Sequence, residues 1–453
     1  MKLKISCNKI NARNDGYNIS RLIPRMVNTF CGIIQYIASF SRSKFYPRFF
    51  CIGAMLSGIH VLRGENEAGS YHIGGGGLFF SETMIKVLAE SLERYAQILA
   101  EQLLFKKEIK YTNYDQLILQ SKYIISSNKL QYFTPKQINQ FKNSNILLSS
   151  FNSQSQIGWI KCLSLTDQGN NYWCPAQFIL VGYQIKTNEP FLLPGVTTGT
   201  AAHTCYLSAL KNAILELIQL DSVMGHWYGK STVKKIVYND NYFITKIINK
   251  YCYKNGPKLE FFLLPNPDLI GHTVACIYKD DNGIPARAIG ISCDLSIESA
   301  MYKSMLEGLG VAQIAQHNLL KELKLNPKLK FHDKNMLFNL DKNIALYALP
   351  ESREILDKKF SSAEDIDIKN IKPPSKCSIE DEVNLLITSF KNGNKNLLFK
   401  DLTTVDIKDL GFYVLRVWSP DTLSLSLPDA PPLAHSRFLK YGGIGDVYPH
   451  PYP

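Results

Sequence analysis

The stretch GGGGLFFSETMIKVLAESLERYAQ, residues 74 to 97, joins a run of glycines to a helical pattern that carries two glutamates three residues apart. Apolar or small side chains recur at helical spacing after the glycines. They stand at Met84, Val87, Leu88, Leu92, Tyr95, Ile98 and Leu99. Ser81 is the predicted N-cap, because a serine hydroxyl accepts from the first free amides of a helix. The stretch predicts a glycine turn and then a long, half-buried helix.

The two glutamates, Glu90 and Glu93, are neighbours on this helix. Like charges at this spacing cost roughly a few tenths of a kcal/mol. A solvated helix face would tolerate that cost, and this alternative stays open. The pair is nevertheless bracketed by apolar residues and followed directly by Arg94. Carboxylates so spaced suit a hydrated Mg²⁺, which takes one or two protein oxygens and leaves its other positions to phosphate and water.

The order of strand-like segment, small-residue turn and helix recurs twice along the chain. A helix over about 204–228 carries Glu216 and Gln219 in an E-x-x-Q frame, and a helix over about 297–321 carries Glu307. Three helices that each hold an acid in mid-helix predict one acidic site for metal and phosphate, near the helix starts. The fold class is α+β, with mixed β-sheets covered by helices.

Other apolar segments complete the predicted organisation. Strand-like patterns cover 48–64, 177–185 and GFYVLRVW near the C-terminus. The segment from Met26 to Phe40 predicts a helix that serves docking or the core, since it is too short and too polar to span a bilayer. We divide the chain into an N-terminal segment, 1–47, with a candidate docking or dimerisation helix, and a catalytic domain, 48–453.

Composition limits the function classes. With 453 residues and 45% hydrophobic content, the chain is long and apolar enough for a large core. The net charge of +12 comes from scattered lysines, so no nucleic-acid partner is expected. The ten cysteines form no C-x-x-C pair, which argues against a zinc site. The polar N-terminus shows no signal peptide, so we expect a cytoplasmic protein without membrane insertion.

The last residues, GGIGDVYPHPYP, alternate three prolines with His450 and Tyr452. Each proline fixes φ and removes a donor, which predicts a stiff, extended tail. A disordered tail and a polyproline ligand for a partner are the alternatives. A stiff terminus could also place a carboxylate in a site as a general base or orienting group.

Several motifs together carry a family resemblance. The glycine run before AESLERYAQ, TTGTAAH with AILELIQLD, CDLSIESAMYKSMLEGLG, DLTTVDIKDLGFYVLRVWSP with AHSRFL, and the P-x-P-x-P end occur in this order. The chain resembles YcaO-type ATP-dependent cyclodehydratases over about 50–453. More narrowly, it resembles the stand-alone cyclodehydratase subunit of azoline-forming peptide synthetases.

The resemblance implies a reaction on a ribosomally made precursor peptide. A Cys, Ser or Thr side chain adds to the preceding carbonyl, the oxyanion is phosphorylated by ATP, and loss of phosphate leaves a thiazoline or oxazoline. The implied cofactors are ATP and Mg²⁺. The implied metal ligands are Glu90, Glu93, Glu216 and Gln219, and the implied nucleotide contacts are Arg94, Ser81 and Glu307. The carboxylate of Pro453 would lie near the reacting amide.

The chain departs from the family pattern on the second helix. Gln219 and Leu220 stand where members commonly have an acid and an arginine, and Ser208 stands where many have a carboxylate. An amide coordinates Mg²⁺ less strongly than a carboxylate does, and Leu220 cannot neutralise phosphate. These departures keep open a degenerate scaffold that binds peptide without ATP chemistry. Thioamide or amidine formation is the other alternative to azoline formation.

The resemblance also implies partners. Such systems often include an E1-like, zinc-bearing protein that captures the leader peptide, and this chain lacks its C-x-x-C pairs. A separate docking protein is therefore expected beside the precursor peptide. Oxidation to azoles would need a further flavin dehydrogenase, and a homodimer through the N-terminal segment is a candidate assembly.

Overall fold

The computed structural model describes residues 15–42, 44–65, 73–144, 146–240, 242–331, 340–371 and 377–452. The helices are α1 (Asp15–Met26), α2 (Ile59–Leu62), α3 (Phe80–Ala100), α4 (Tyr114–Ile118), α5 (Pro135–Asn143), α6 (Ala176–Ile179), α7 (Tyr206–Tyr228), α8 (Phe243–Tyr251), α9 (Ile297–Leu325), α10 (Leu340–Tyr347), α11 (Ser352–Ser361), α12 (Ile379–Asn392) and α13 (Val405–Asp409). The strands are β1 (Ile34–Ser39), β2 (Phe50–Leu56), β3 (Gly74–Gly77), β4 (Lys110–Thr112), β5 (Ile157–Ser164), β6 (Asn171–Pro175), β7 (Thr200–His203), β8 (Lys234–Val237), β9 (Lys258–Leu264), β10 (His272–Lys279), β11 (Arg287–Asp294), β12 (Glu364–Asp367), β13 (Leu398–Asp401) and β14 (Tyr413–Trp418). Within these ranges, no helix combines the length and apolar character needed to cross a bilayer.

Strands β1, β2 and β3 form a small antiparallel sheet in that order. The helix predicted for 26–40 is wrong, because α1 ends at Met26 and the chain turns before β1. Gly32 lies in that turn, where a Cβ would come within 2.4 Å of the Asn28 backbone nitrogen. Since β1 pairs with β2, this sheet joins residues on both sides of the predicted boundary at 47/48.

A second sheet has the strand order β4-β5-β13-β14-β7, with β6 paired to β5. Strand β14 confirms the prediction from GFYVLRVW. The strand predicted over 177–185 is wrong, because the short helix α6 and turns occupy these residues. The long helix α7 packs on β7 and β14, and α3 reaches the same strands from the first sheet. Both helices therefore lie against the same two strands.

The third sheet has the order β11-β10-β9-β8-β12, and only β8 and β12 run parallel. Helix α9 lies along β10 and β11 and also contacts β3. Mixed sheets covered by helices confirm the predicted α+β class, and helices α3, α7 and α9 agree with the predicted ones to within four residues.

Two glycines set the distance between α9 and its sheet. A Cβ on Gly290 of β11 would lie 2.0 Å from the Gly308 backbone nitrogen, and a Cβ on Gly308 would lie 3.2 Å from the Gly290 nitrogen. The two backbones therefore touch without intervening side chains. Glu307 precedes Gly308, so this contact fixes the height of Glu307 above the sheet.

The C-terminal residues pack inside the protein. His450 and Tyr452 are buried, the Trp227 indole donates to the Tyr448 carbonyl at 2.9 Å, and Tyr347 donates to the Pro449 carbonyl. The disordered-tail alternative is therefore wrong for residues 449–452. Pro453 lies outside the described residues.

Candidate nucleotide and metal site

The predicted acids meet in a cleft between three helices. Glu90, Glu216 and Glu307 are each the eleventh residue of α3, α7 and α9, which puts them about 15 Å from the helix starts. Glu93 follows Glu90 by one helical turn. The sequence placed the site near the helix starts, whereas these side chains lie along the helix middles. The first-turn dipoles therefore do not reach them, and charge must be balanced by other side chains.

The charges of Glu93 and Glu216 interact within the cleft. Each keeps a partly exposed surface, yet protein surrounds it closely, as expected in a narrow cleft. Burial, then Glu216 and then Glu90, raise the pKa of Glu93 well above its ordinary value. Burial raises the pKa of Glu216 to about 8, although Arg94 and Arg416 oppose the rise. The two acids thus share a site whose positive charge does not bring their pKa values back to the ordinary range.

Glu307 belongs to the same cluster. Burial raises its pKa to about 8, the Ile291 amide lowers it, and Glu90 and Glu216 raise it further. The opposing Coulombic contribution of Lys86 is smaller. The Lys86 ammonium donates to the Gly76 carbonyl at 2.9 Å and to Glu82 at 3.1 Å, so it is held at the glycine run beside the cleft.

Two arginines supply the positive charge in the cleft. Arg94 donates to Glu90 with 2.8 Å between Nη2 and Oε1. Burial alone would lower the pKa of Arg94, but Glu90 and the two other acids facing it raise it. Arg416 of β14 is buried, and its pKa falls to about 10 through burial, against the opposing charges of Glu216 and Glu93.

Arg416 is the functional residue that sequence reasoning missed. Its Nη1 donates to the Thr200 hydroxyl at 3.0 Å, and its Nη2 donates to the Phe178 carbonyl at 3.0 Å. The Nε atoms of Arg416 and Arg94 are buried without a hydrogen-bond partner in the described residues. An arginine inside the apolar strand YVLRVW was the available signal, because buried charges in strands usually have a specific partner.

The acids fit a hydrated Mg²⁺ better than a metal enclosed by protein. Among the described residues, no three His, Cys, Asp or Glu side chains are close enough to hold a metal ion by themselves. Mg²⁺ binds through one or two carboxylates and keeps phosphate oxygens and waters. Buried carboxylates that raise one another's pKa are also groups that a cation would stabilise. The residue types and their charge balance therefore fit Mg²⁺ with a nucleotide.

The structure changes the interpretation of three other residues. Helix α3 begins at Phe80 with Phe79 as its N-cap, so the N-cap prediction for Ser81 is wrong. No side chain caps this helix start, and Glu82 instead accepts from the Leu78 amide, one residue before the N-cap, at 3.0 Å. Ser81 is exposed, and its contact with a nucleotide stays a prediction.

Gln219 and Leu220 are both engaged with the protein. The Gln219 side-chain oxygen accepts from the Cys293 amide at 3.0 Å, which ties α7 to β11. Its role as a metal ligand stays a prediction, with one lone pair of that oxygen already used. Leu220 is buried in the core beside Val223 and Met224. Its position therefore serves packing, and Arg416 brings positive charge to the cleft from another element.

Tyr452, the last described residue of the tail, interacts with an acid of the cluster. Glu307 contributes to the raised pKa of Tyr452, after burial and Tyr228. This interaction places the Tyr452 side chain within electrostatic range of the acidic cluster. The role predicted for Pro453, the next residue, is untested because Pro453 is outside the described residues.

A family model for the YcaO cyclodehydratase, described as binding ATP and Mg²⁺, matches residues 74–423. The match covers more than three quarters of the chain and includes every acid of the cleft. The chain belongs to the YcaO family. The family assignment, the ATP-dependent cyclodehydratase class and the cofactors ATP and Mg²⁺ predicted from sequence are confirmed. Among curated proteins, no sequence relative was found.

Solved structures share the YcaO fold with this chain. A heterocyclase in complex with substrate and cofactor has a TM-score of 0.68 at 15% identity; the match covers 92% of this chain and 55% of that one. YcaO from Methanopyrus kandleri, bound with AMPPCP and Mg²⁺, has a TM-score of 0.61 at 13% identity, covering 91% of both chains. The E. coli microcin synthetase McbBCD complex gives 0.59 at 13% identity, covering 94% and 99%. The chain thus spans about half the length of the heterocyclase.

Proposed function

We propose that this YcaO protein forms azolines on a ribosomally made precursor peptide. The substrate side chains are Cys, Ser or Thr, and the reaction removes the backbone amide oxygen as phosphate. The observation that carries the proposal is the cleft of four acids and two arginines, in which burial and then neighbouring acids raise the pKa values of Glu93, Glu216 and Glu307. Such a cleft stabilises a cation that is itself bound to polyphosphate.

Each cleft residue has a role in this proposal. Glu90, Glu93 and Glu216 supply carboxylate oxygens to hydrated Mg²⁺ on the nucleotide phosphates, with one or two carboxylates to an ion. Arg94 of α3 and Arg416 of β14 neutralise phosphate charge. Glu307 lies between this cluster and the tail, and it contacts the nucleotide site from α9.

The chemistry asks mainly for positioning and charge neutralisation. ATP with Mg²⁺ supplies the phosphoryl group that turns the amide oxygen into a leaving group. Arg94 and Arg416 oppose the rise in the pKa values of Glu93 and Glu216 that burial causes, and Mg²⁺ would favour their ionised forms further. The packing of the acids between three helices limits the access of water. Phosphoryl transfer is catalysed largely by these two contributions.

Partners complete the proposed system. A leader-binding, E1-like docking protein would present the precursor peptide, and a flavin dehydrogenase would be needed for azoles. The related microcin synthetase is a multi-subunit complex by its name. Thioamide or amidine formation remains the alternative chemistry for the same cleft.

The test is a thermal shift with Mg²⁺ and a non-hydrolysable ATP analogue. Ligand at about a hundredfold over its Kd should add roughly 2.7 kcal/mol to the folded state. The Glu90→Gln/Glu93→Gln variant should lose this shift. The matched control is Glu351→Gln/Glu354→Gln, which has the same spacing on the exposed surface near α11 and should keep it.

Azoline formation is then followed by mass spectrometry of the precursor peptide with the docking protein present. Each ring removes one water, so a mass loss of about 18 Da per modified residue is expected and should need ATP. A normally processed peptide from Glu90→Gln/Glu93→Gln would contradict the site. Absence of a thermal shift in the wild type would favour the degenerate scaffold.

A further inference from the structure

A band of exposed aromatic rings lies on the side of the protein where α3 begins. Its members, here called the aromatic surface, are between 40% and 57% exposed. They are Phe45, Phe50, Phe79, Phe80, Phe243 and Tyr253. Soluble proteins rarely leave so many large rings together in water unless the surface binds something. Neither the nucleotide site nor the core uses these side chains.

Ring contacts pair five of the six members with one another or with Tyr251, while Phe243 meets Tyr302. Phe50 of β2 meets Phe80 of α3 edge to face, with 6.4 Å between ring centroids. Phe79 meets Tyr251 at the end of α8 at 6.3 Å, and Phe45 meets Tyr253 at 6.4 Å. The surface therefore combines three parts of the chain that fold onto one another, and the arrangement is fixed by the fold.

Three cations lie over these rings. Lys44 is 5.3 Å from the centroid of Phe45, Arg48 is 5.7 Å from that of Tyr253, and Lys250 is 5.3 Å from that of Tyr251. Within the described residues, none of the three has a carboxylate within ion-pair distance, although salt bridges occur elsewhere on the surface. The surface is thus apolar at its centre and positive at its edge.

We propose that the aromatic surface binds an acidic, amphipathic segment of a partner protein. Aromatic residues and arginine are enriched where proteins bind one another. Carboxylates on the segment would pair with Lys44, Arg48 and Lys250, and its apolar side chains would cover Phe79 and Phe80. Opposite charge also speeds encounter and fixes the orientation of the two partners.

Two other occupants fit the surface less well. A second copy of this chain would bring two positive edges together, on a protein that already carries +12. Single-stranded nucleic acid would need free ring faces for base stacking, whereas cations already cover Phe45, Tyr251 and Tyr253. An acidic, amphipathic protein segment can pair with the cations and cover the exposed rings without rearranging them.

The surface adjoins the catalytic helix without sharing its acids. Phe79 caps α3, and its carbonyl accepts from the Thr83 hydroxyl at 2.9 Å. Glu90 lies three turns further along. The proposal does not depend on the nucleotide chemistry, so a variant can lose the partner and keep the thermal shift with Mg²⁺ and the ATP analogue.

The probe is a fluorescein-labelled synthetic peptide in which Glu alternates with Leu and Phe, with a second peptide that carries Lys in place of every Glu. Fluorescence anisotropy should show binding of the acidic peptide only. Phe79→Ser/Phe80→Ser and Arg48→Gln/Lys250→Gln should each weaken it by about tenfold or more, the size of a lost hot spot.

Matched changes outside the aromatic surface serve as controls. Leu119→Ser removes another highly exposed apolar side chain. Lys122→Gln removes another cation that lies over a ring, 4.9 Å from the centroid of Tyr123. Both variants should bind the acidic peptide as the wild type does.

Four outcomes would overturn the proposal. They are equal binding of both peptides, equal binding by the surface variants and the controls, tighter binding of phosphatidylglycerol vesicles or single-stranded DNA with the same dependence on Arg48 and Lys250, and a dimer in light scattering that Phe79→Ser/Phe80→Ser dissociates. The last two would assign the surface to a membrane, to nucleic acid or to self-association.

Discussion

Asp221 of α7 and Arg437, 216 residues later, form a fully buried ion pair with 2.6 Å between Oδ2 and Nη2. Asp221 also accepts from the Leu423 amide at 2.9 Å and from the Tyr441 hydroxyl at 3.0 Å. Every acceptor site on this carboxylate is therefore used. The pair ties the helix that carries Glu216 to the segment that leads into the buried tail.

We predict that Asp221→Ala lowers the free energy of unfolding by about 3 kcal/mol or more, because it leaves the Arg437 guanidinium buried without its main partner. Urea unfolding measures the change. Asp409→Ala breaks the exposed pair with Arg25 and should cost about 1 kcal/mol or less. Equal losses in the two variants would contradict the role given to burial.

Arg416→Met should weaken binding of Mg²⁺ with the ATP analogue and also lower stability. The variant removes one of the two cations that act on Glu216 and leaves the Thr200 hydroxyl and the Phe178 carbonyl without their donor. We expect binding to weaken by about tenfold or more, as for a lost charge-assisted contact, measured by calorimetry at a temperature where both proteins are folded. Arg416→Lys should recover part of the binding, since it keeps charge but cannot reach both partners. Unchanged binding in Arg416→Met would exclude this residue from the site.

The acidic cluster predicts a stability that falls with rising pH. Glu216 and Glu307 have folded pKa values of about 8 against an ordinary 4.5, so the folded state holds more protons than the unfolded state between these values. The free energy of unfolding then decreases as pH rises through that window. Thermal unfolding from pH 6.5 to 9 without Mg²⁺ should show a falling Tm.

Two comparisons check this pH dependence. Glu216→Gln should flatten the decrease, because it removes one titrating group. Saturating Mg²⁺ with the ATP analogue should also flatten it and release protons, seen as a dependence of binding enthalpy on the buffer. An identical slope in wild type and Glu216→Gln would show that other groups cause it.

His450 predicts a second pH effect, of opposite sign, at the tail. Its Nε2 donates to the Ser426 carbonyl at 2.6 Å and its Nδ1 accepts from the Tyr452 amide at 3.3 Å, so both nitrogens are used in the neutral form. Burial lowers its pKa to about 4 from 6.5. The stabilisation is complete above pH 6.5 and is lost as the pH falls towards 4.

Tryptophan fluorescence reports on this loss, because the Trp227 ring lies 5.9 Å from that of Tyr452. We expect a fluorescence change between pH 6.5 and 4 in the wild type that is smaller in His450→Asn, which cannot be protonated. The same transition in both proteins would mean that the tail is released by another group.

The sequence predicted the elements whose pattern is local and strong. Helices α3, α7 and α9 are long and periodic, and β14 is a short, mostly apolar run with buried residues on both faces. The segment from Met26 to Phe40 failed because its many apolar residues resemble a buried helix, while a turn at Gly32 and pairing with β2 decide its conformation. The strand prediction for 177–185 failed for a related reason. Its apolar residues are buried, but they belong to a short helix and turns.

The sequence predicted those site residues that can be recognised from the pattern of a single helix. The acids stand out because each interrupts an apolar helix, and the structure brings all four together. Arg416 could not be connected to them, because 200 residues separate it from Glu216 and only the pairing of β14 with β7 makes them neighbours. The Ser81 cap failed because the helix already begins at Phe80, which puts Ser81 inside its first turn.

The contact between Gly290 and Gly308 has a genetic consequence. Every missense mutation of a glycine codon adds at least a Cβ, so no amino-acid replacement at Gly290 avoids a clash with the α9 backbone. Gly308 is slightly less restricted, since its Cβ would need a shift of only a few tenths of an ångström. A saturation library across β11 and α9 should therefore lose nearly every allele at codon 290 and retain a small fraction at codon 308, although neither glycine has a side chain that could touch ATP.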